Sequence, residues 1–443
     1  MIASALLIAR LQPPQDSSRL TLDAAVRMAL ERAPVLTAAR QARAGAEGAR
    51  RQAASQWWPQ VGADGTLTQF EEPMLVKPIH GFTPTLIPPF DRTLIQGNLT
   101  LGWTLFDGGT RGGQVSEASA LEDAARFKVD GTAQALIALV VRSYAGVIAA
   151  REAVLAQDSR RESLEAEASR VGRFLAEGRA APLERMRADA AVAGALADHA
   201  AALGRLEVAE AGLARLVGTT PDRTRGPMLI PIQAVDGAAL SRDSLLTLAR
   251  AASPVIQAAT SRAAAKHAAI RGAGGSRYPS LRAEGRLVTY GSGDGDYTTE
   301  WQTGLRVSWP VFTGGNRSAA IDRARAGAAE AEADLADLEL SLANDIDRSL
   351  AGLTETERRI TALQSAIGQL SEAQRVESLA LAQGAGTQSD FLRSEADLAG
   401  GRAALANARA ERIATRVELA RLVGSLSPAT LAAMVTTLQE TQR

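Results

Sequence analysis

The chain contains no cysteine, which removes disulfides, thiolate metal sites, a thiol nucleophile and the lipidated cysteine that anchors bacterial lipoproteins. Aromatic residues are scarce too, at 4% of 443 positions against 46% hydrophobic, so alanine and small aliphatics carry the apolar content. That mixture suits close packing of helices rather than a core built on large rings. Charge of one sign is not in excess: 49 Lys+Arg face 49 Asp+Glu, which argues against nucleic acid as a partner, because phosphates need a basic face. An uninterrupted run of about 18 apolar residues is also missing, so no conventional transmembrane helix is expected and a membrane reading must rest on β-strands. Met1 to Ile8 resemble the apolar centre of a secretory signal, but no basic residue precedes them and Gln12-Pro13-Pro14 follow closely. A truncated start and an ordinary frayed terminus both fit.

What is present is a duplication. Trp103 to Phe106 followed by Asp107-Gly108-Gly109-Thr110-Arg111 returns as Trp309 to Phe312 followed by Thr313-Gly314-Gly315-Asn316-Arg317, displaced by 206 residues. The same displacement carries Leu213-Ala214-Arg215-Leu216-Val217-Gly218 onto Leu419-Ala420-Arg421-Leu422-Val423-Gly424. Upstream, Ala33-Pro34-Val35 and Trp58-Pro59 pair with Ser253-Pro254-Val255 and Tyr278-Pro279 at a displacement of 220, so the first copy has a longer loop between Pro59 and Trp103. The expected division is an N-terminal segment 1–19, a first repeat 20–218, a linker 219–239, a second repeat 240–424 and a tail 425–443.

Each repeat should open with a short helix capped by Thr21 or Ser241 and interrupted at Pro34 or Pro254. A second helix then stops at Trp58-Pro59 or Tyr278-Pro279. Next comes a pair of strands, about 60–106 and about 280–312. In the second copy Leu281, Ala283, Gly285 and Leu287 alternate with Arg282, Glu284 and Arg286; in the returning strand Trp301 to Val311 alternate with Gln302, Gly304, Arg306 and Ser308. One apolar and one polar face over about 10 residues fits an outer-membrane barrel strand, and it also fits a half-buried sheet in a soluble protein. After the Gly-Gly turn the chain reads as helix without a breaker from about Val115 to Ala176 and from Ala319 to Gln383. Leu353, Ile360, Leu363, Ile367 and Leu370 step by seven, three, four and three, the seam of a coiled coil. Helical hairpins are thus expected over about 113–218 and 319–424, turning near Gly178 and Gly384. The fold class is mainly α with a β contribution. Four strands do not close a barrel, for which about eight are needed, so neighbouring copies must complete it.

The strand–strand–hairpin order repeated twice, the Trp-x-x-Phe-(Asp/Thr)-Gly-Gly-x-Arg junction, and Gly384 followed by Asp390-Phe391-Leu392 together resemble the TolC-like outer-membrane efflux proteins. The resemblance runs from Leu20 to about Gly424. It implies a homotrimer in the outer membrane of a Gram-negative bacterium, in which three copies of four strands and four long helices make a 12-strand barrel in lipid and a 12-helix periplasmic tunnel. It also implies a periplasmic adaptor protein and an inner-membrane pump or secretion ATPase as partners. By the same resemblance Gly178 and Gly384 mark hairpin tips that dock the adaptor, and Glu184 and Asp390 are acids inside a periplasmic gate. Both acids can equally be read as solvated charges at a helix start, and Arg393 stands where some relatives carry a second acid. Asp107, Gly108, Gly109, Gly314 and Gly315 form the strand-to-helix junctions, and Arg282, Glu284, Arg286 and Arg306 would line the barrel.

No catalytic serine, phosphate-cradling loop or carboxylate dyad stands out, and neither an enzyme nor a cofactor is expected. His80, His199 and His267 lack metal-ligand spacing. Gly291-Ser292-Gly293-Asp294-Gly295-Asp296 has a faint calcium-loop composition, but it falls between two strands, where an exposed turn is expected. The reading is a passive export duct; the competing one is a periplasmic coiled-coil adaptor or scaffold without a pore.

Overall fold

The computed structural model describes residues 20–76, 90–219, 232–234 and 241–437. His80, the N-terminal segment and most of the linker lie outside them. In chain order the elements are α1 Leu22–Arg32, α2 Pro34–Ser55, β1 Gln60–Leu75, β2 Phe90–Phe106, α3 Thr110–Ala176, α4 Pro182–Val217, β3 Ile232–Ala234, α5 Arg242–Ala252, α6 Pro254–Gly275, β4 Ser280–Ser292, β5 Tyr297–Ser308, α7 Asn316–Ala382, α8 Gln388–Leu422, α9 Pro428–Met434 and β6 Val435–Thr437.

The duplication is visible in the boundaries. Both ends of α3 are displaced by 206 in α7, from 110 to 316 and from 176 to 382, and both ends of α2 are displaced by 220 in α6, from 34 to 254 and from 55 to 275. Local chemistry fixes these ends. Thr21 and Ser241 accept the backbone N–H of Ala24 and Ser244 at 3.1 and 3.2 Å, and Pro34 and Pro254 sit at first helical positions, where a missing N–H costs nothing. The two longest helices have 67 residues each, about 100 Å at 1.5 Å per residue.

Contacts divide the chain into two compact units. The first comprises residues 40–128 and 257–338 and holds an antiparallel sheet in the order β1-β2-β4-β5. Its register sets Val61, Leu101, Gly285 and Thr303 in one row and Gln60, Gly102, Glu284 and Gly304 in the next. One face therefore carries Leu67, Leu99, Leu101, Trp103, Leu287, Trp301 and Leu305, all exposed; the other carries the polar residues. β5 ends at Ser308 rather than near 312, because Pro310 has no N–H to give to a ladder. Between β4 and β5 the segment 293–296 makes a tight turn with Gly295 at φ 88°. Where α3 and α6 cross, a Cβ on Gly113 would lie 2.4 Å from the Gly272 backbone, a spacing that only glycine permits.

The second unit comprises residues 20–39, 129–256 and 339–437 of the described chain and is mainly helical. Leu22, Val26 and Leu36 pack with Leu136, Val140, Tyr144, Val147, Leu213, Val217 and Val417, and the buried Tyr144 hydroxyl donates to the Leu20 carbonyl at 2.8 Å. α3 contains one 18-residue stretch of mean hydropathy 1.6. This revises the expectation that no helix is apolar enough to cross a membrane: residues 131–150 carry only Arg142 as a charge, and the polar residues that interrupt the run hardly lower its average. Leu136, Ile137, Val140, Val141, Tyr144 and Val147, all buried, fall here, so one side of the stretch packs against protein while Leu139 is exposed. The linker and the tail also pair with each other, Ile232–Ala234 against Val435–Thr437.

Candidate functional site

The polar face of the sheet gathers the four barrel-lining candidates. Arg306 Nε donates to both Glu284 carboxylate oxygens at 2.8 and 3.0 Å. Arg286 donates through Nε and an outer nitrogen to the Asn98 side-chain carbonyl, at 3.2 and 2.6 Å, and the Asn98 amide donates in turn to Asp64 at 2.8 Å. Arg282 donates to the Thr104 hydroxyl, at 3.4 Å. At one end of this face lies a concavity of about 1380 Å³ whose charged lining is Asp107, Arg111, Arg282, Glu284, Arg286, Arg306 and Arg317.

The two strand-to-helix junctions share a backbone. Gly108, Gly109, Gly314 and Gly315 all adopt positive φ, from 57° to 92°, and the Trp103 and Trp309 indoles each donate to a carbonyl two residues before the proline that precedes the first strand, those of Trp57 and Arg277, at 3.0 and 3.2 Å. Their side chains differ. In the first copy the Asp107 carboxylate accepts the backbone N–H of Gly109 and Arg111 at 3.1 and 3.0 Å and the Arg111 guanidinium at 2.8 Å. Arg111, buried, also donates to the Gln56 carbonyl and stacks 4.3 Å from the Trp57 ring centroid. Burial pushes the Asp107 carboxyl up, but the bonds from Arg111 and from the backbone outweigh it and hold the group below the ordinary carboxylate value. In the second copy Thr313 replaces the carboxylate and Arg277 the indole, and one guanidinium nitrogen of Arg317 is buried with no hydrogen-bond partner.

The hairpin tips lie in the helical unit. Gly178 and Gly384, at φ 71° and 75°, let the chain leave α3 and α7 through left-handed turns. Glu184 and Asp390 then fall in the first turns of α4 and α8, both exposed. Asp390 accepts from the Thr387 hydroxyl at 2.6 Å while its own N–H donates back to that oxygen at 3.2 Å; Glu184 accepts the Ala181 N–H at 3.4 Å. Each acid therefore helps to start its helix, in addition to carrying charge. Below the tip Leu164, Ala195 and Phe391 form a small apolar cluster.

Three features here were not anticipated. Both amide atoms of Gln388, two residues before Asp390, are buried without partners. The buried carboxylate of Glu395 receives Ser163 and Gln374 at 2.5 and 2.6 Å, tying α8 to both long helices. Arg317 is the third, and its signal was the replacement of Asp107 by Thr313 within an otherwise matching motif. The two described histidines lie beside helix carboxylates, His199 3.7 Å from Asp158 and His267 2.7 Å from Glu332. Among the described residues no group of three or more metal-ligating side chains gathers.

An open sheet with one exposed apolar face and one charged face, combined with long duplicated helical hairpins, defines a membrane β-barrel component with a helical extension. The sequence profile described as "Outer membrane efflux protein" matches residues 25–219 and 245–425, and the chain belongs to this family of outer-membrane channels. No curated protein matches it by sequence. Several solved structures share its fold. The outer membrane protein VceC of Vibrio cholerae is 19% identical with a TM-score of 0.77, over 91% of this chain and 96% of that one. The CmeC outer membrane channel of Campylobacter jejuni is 14% identical with a TM-score of 0.80, over 97% and 96%. The MtrE outer membrane channel of Neisseria gonorrhoeae, solved in its open state, is 22% identical with a TM-score of 0.77, over 92% and 90%.

Proposed function

We propose that this chain is one protomer of a homotrimeric export duct that carries solutes passively across the periplasm and the outer membrane, without catalysis, in series with a periplasmic adaptor and an inner-membrane pump or secretion ATPase. The observation that carries the reading is the sheet. Among the described residues no strand pairs with the outer edges of β1 and β5, yet the sheet's apolar face belongs in lipid, where each unpaired backbone group costs several kcal/mol.

The duplication supports closure by other copies. Within the chain the first repeat meets the second through β2 and β4, and through Gly108, whose Cβ would fall 2.3 Å from the Gly275 carbonyl. A Cβ at the equivalent Gly314 of the second repeat would meet nothing within 4 Å, and among the described residues the outer edge of β5 is unpaired as well. A neighbouring copy's first repeat has the surface to fill that place, and three copies of four strands make the 12-strand barrel. The division into repeats 20–218 and 240–424, with 219–239 between them and 425–443 after them, belongs to the same proposal and is supported by the two matched segments.

Glu184 and Asp390, each repeated by three-fold symmetry, would form carboxylate rings at the periplasmic gate, which attract cations. Gly178 and Gly384 would leave the hairpin tips bare enough for an adaptor to reach the backbone. Arg282, Glu284, Arg286 and Arg306 would line the barrel. The test is to purify the protein from the outer-membrane fraction in detergent and add it to planar lipid bilayers. Discrete conductance steps are expected; recovery as a detergent-free soluble protein that leaves bilayers silent would reject the duct.

A further inference from the structure

We infer that the concavity where the barrel wall meets the strand-to-helix junctions is a binding station for organic anions, so that the exported solutes include aromatic or amphiphilic molecules bearing carboxylate, sulfonate or phosphate groups. This rests on the duct reading and adds its substrate class. The concavity, about 1380 Å³, is lined by five arginines and two carboxylates, although the chain as a whole is neutral. Both carboxylates are already engaged, Asp107 by Arg111 and Glu284 by Arg306. Among the described residues Arg282, Arg286 and Arg317 have no carboxylate at ion-pair distance: the first meets a hydroxyl and shares the field of Glu284 with Arg306, the second meets an amide carbonyl, and the third has a buried guanidinium nitrogen with no partner.

A buried guanidinium nitrogen without an acceptor, as on Arg317, is best satisfied by an anion, and the paired oxygens of a carboxylate or phosphate suit it. Trp58 and Tyr278, both exposed, also line the concavity and offer ring faces to the apolar part of such a solute.

Completion of the barrel by neighbouring copies does not supply the missing acceptors by symmetry. All the groups that hold Arg111 belong to its own repeat, so the corresponding neighbours of Arg317 lie in this same chain: Thr313, Ser276 and Arg277. The first repeat also has no arginine where the second has Arg282, Arg286 and Arg306; Gly62, Thr66 and Thr100 stand there instead. The arginines without a contacting carboxylate are thus confined to the second repeat, and three copies would set nine of them around one lumen.

The test is calorimetric titration of the full-length protein, in non-ionic detergent at pH 7, with benzene-1,3,5-tricarboxylate. Saturable binding that weakens as salt is raised is expected. The triple variant R282Q/R286Q/R317Q should bind at least about tenfold more weakly, on the scale of a few lost charge-assisted contacts, whereas R282K/R286K/R317K should keep most of the affinity. If the glutamine triple variant does not assemble, Arg317→Gln alone should weaken binding about threefold. Absence of saturable binding to the unaltered protein, or affinity undiminished in the glutamine variants, overturns the inference. Bilayer conductance reports separately on the duct: conducting protein that ignores the tricarboxylate rejects the anion station and leaves the duct standing.

Discussion

Replacing Asp107 by alanine should destabilise the protein far more than replacing its counterpart Thr313, although both occupy the same place in duplicated motifs. The Arg111 and Asp107 side chains are 5% and 16% exposed. Removing one partner of such a pair leaves a buried charge uncompensated, at a cost of about 3–5 kcal/mol. Arg111 would keep its bond to the Gln56 carbonyl and its stacking on Trp57, which places the expected cost near the lower bound, ~3 kcal/mol. Thr313→Ala removes no charge partner and should stay within about 1 kcal/mol. The assay is the half-life of the assembled protein in detergent at a fixed elevated temperature, followed by circular dichroism and by migration on gels. If the junction opens before unfolding, ~3 kcal/mol shortens the half-life by about two powers of ten.

The pH dependence separates charge from packing. The folded Asp107 carboxyl lies below its ordinary value of 3.8, so its contribution is fully present above that pH and is lost as pH falls through the lower, folded value. The advantage of the natural protein over Asp107→Ala should therefore hold at neutral pH and shrink below about pH 4. Equal half-lives for the Asp107 and Thr313 variants, or an advantage that survives strong acid unchanged, would exclude a buried Asp107–Arg111 ion pair as the source of the difference.

Other expectations follow from the same geometry. Asp390→Ala should weaken the block of single-channel current by multivalent cations, by a few-fold if three carboxylates form one ring; Asp390→Asn should do the same while keeping an acceptor for Thr387, and unchanged block in both would take Asp390 out of the lumen. Gly108→Ala should abolish assembled protein in the outer-membrane fraction, since its Cβ would fall 2.3 Å from a backbone carbonyl at φ 67°, while Gly109→Ala, with open space around it, should still assemble with reduced thermal stability. Equal yields of the two would contradict the packing assigned to Gly108.

Much of this fold is legible in the residues, because strong local signals recur. Prolines at first helical positions, threonine and serine caps, and Gly-Gly turns end the helices of both copies at equivalent places, and alternation in 281–287 assigns the sheet faces before any partner strand is known. What escaped lies at longer range or in small differences. Ile232–Ala234 and Val435–Thr437 are three-residue strands, too short to show a period. Glu395 reads as an ordinary solvated helix charge, and only the packing of three helices buries it. In β5 a period of two continues through Trp309 and Val311, but Pro310 ends the ladder first. The isolation of Arg317 is legible only in the comparison of the two junctions, where Thr313 stands in place of Asp107.

Closure of the sheet by neighbouring copies sets a definite register. Leu99 of β2 lies opposite Leu287 of β4. Displacing the first by 206 gives Leu305 and the second by minus 220 gives Leu67, so Leu305 of one protomer should face Leu67 of the next. Because the chain has no cysteine, a Leu67→Cys/Leu305→Cys protein reports on that contact alone, at a cross-strand spacing of about 5 Å that a disulfide can bridge. Oxidation in membranes should give covalent dimers and trimers and nothing larger, with each single variant remaining monomeric on denaturing gels. Only monomers from the double variant, or a ladder running beyond three, would contradict a closed ring of three.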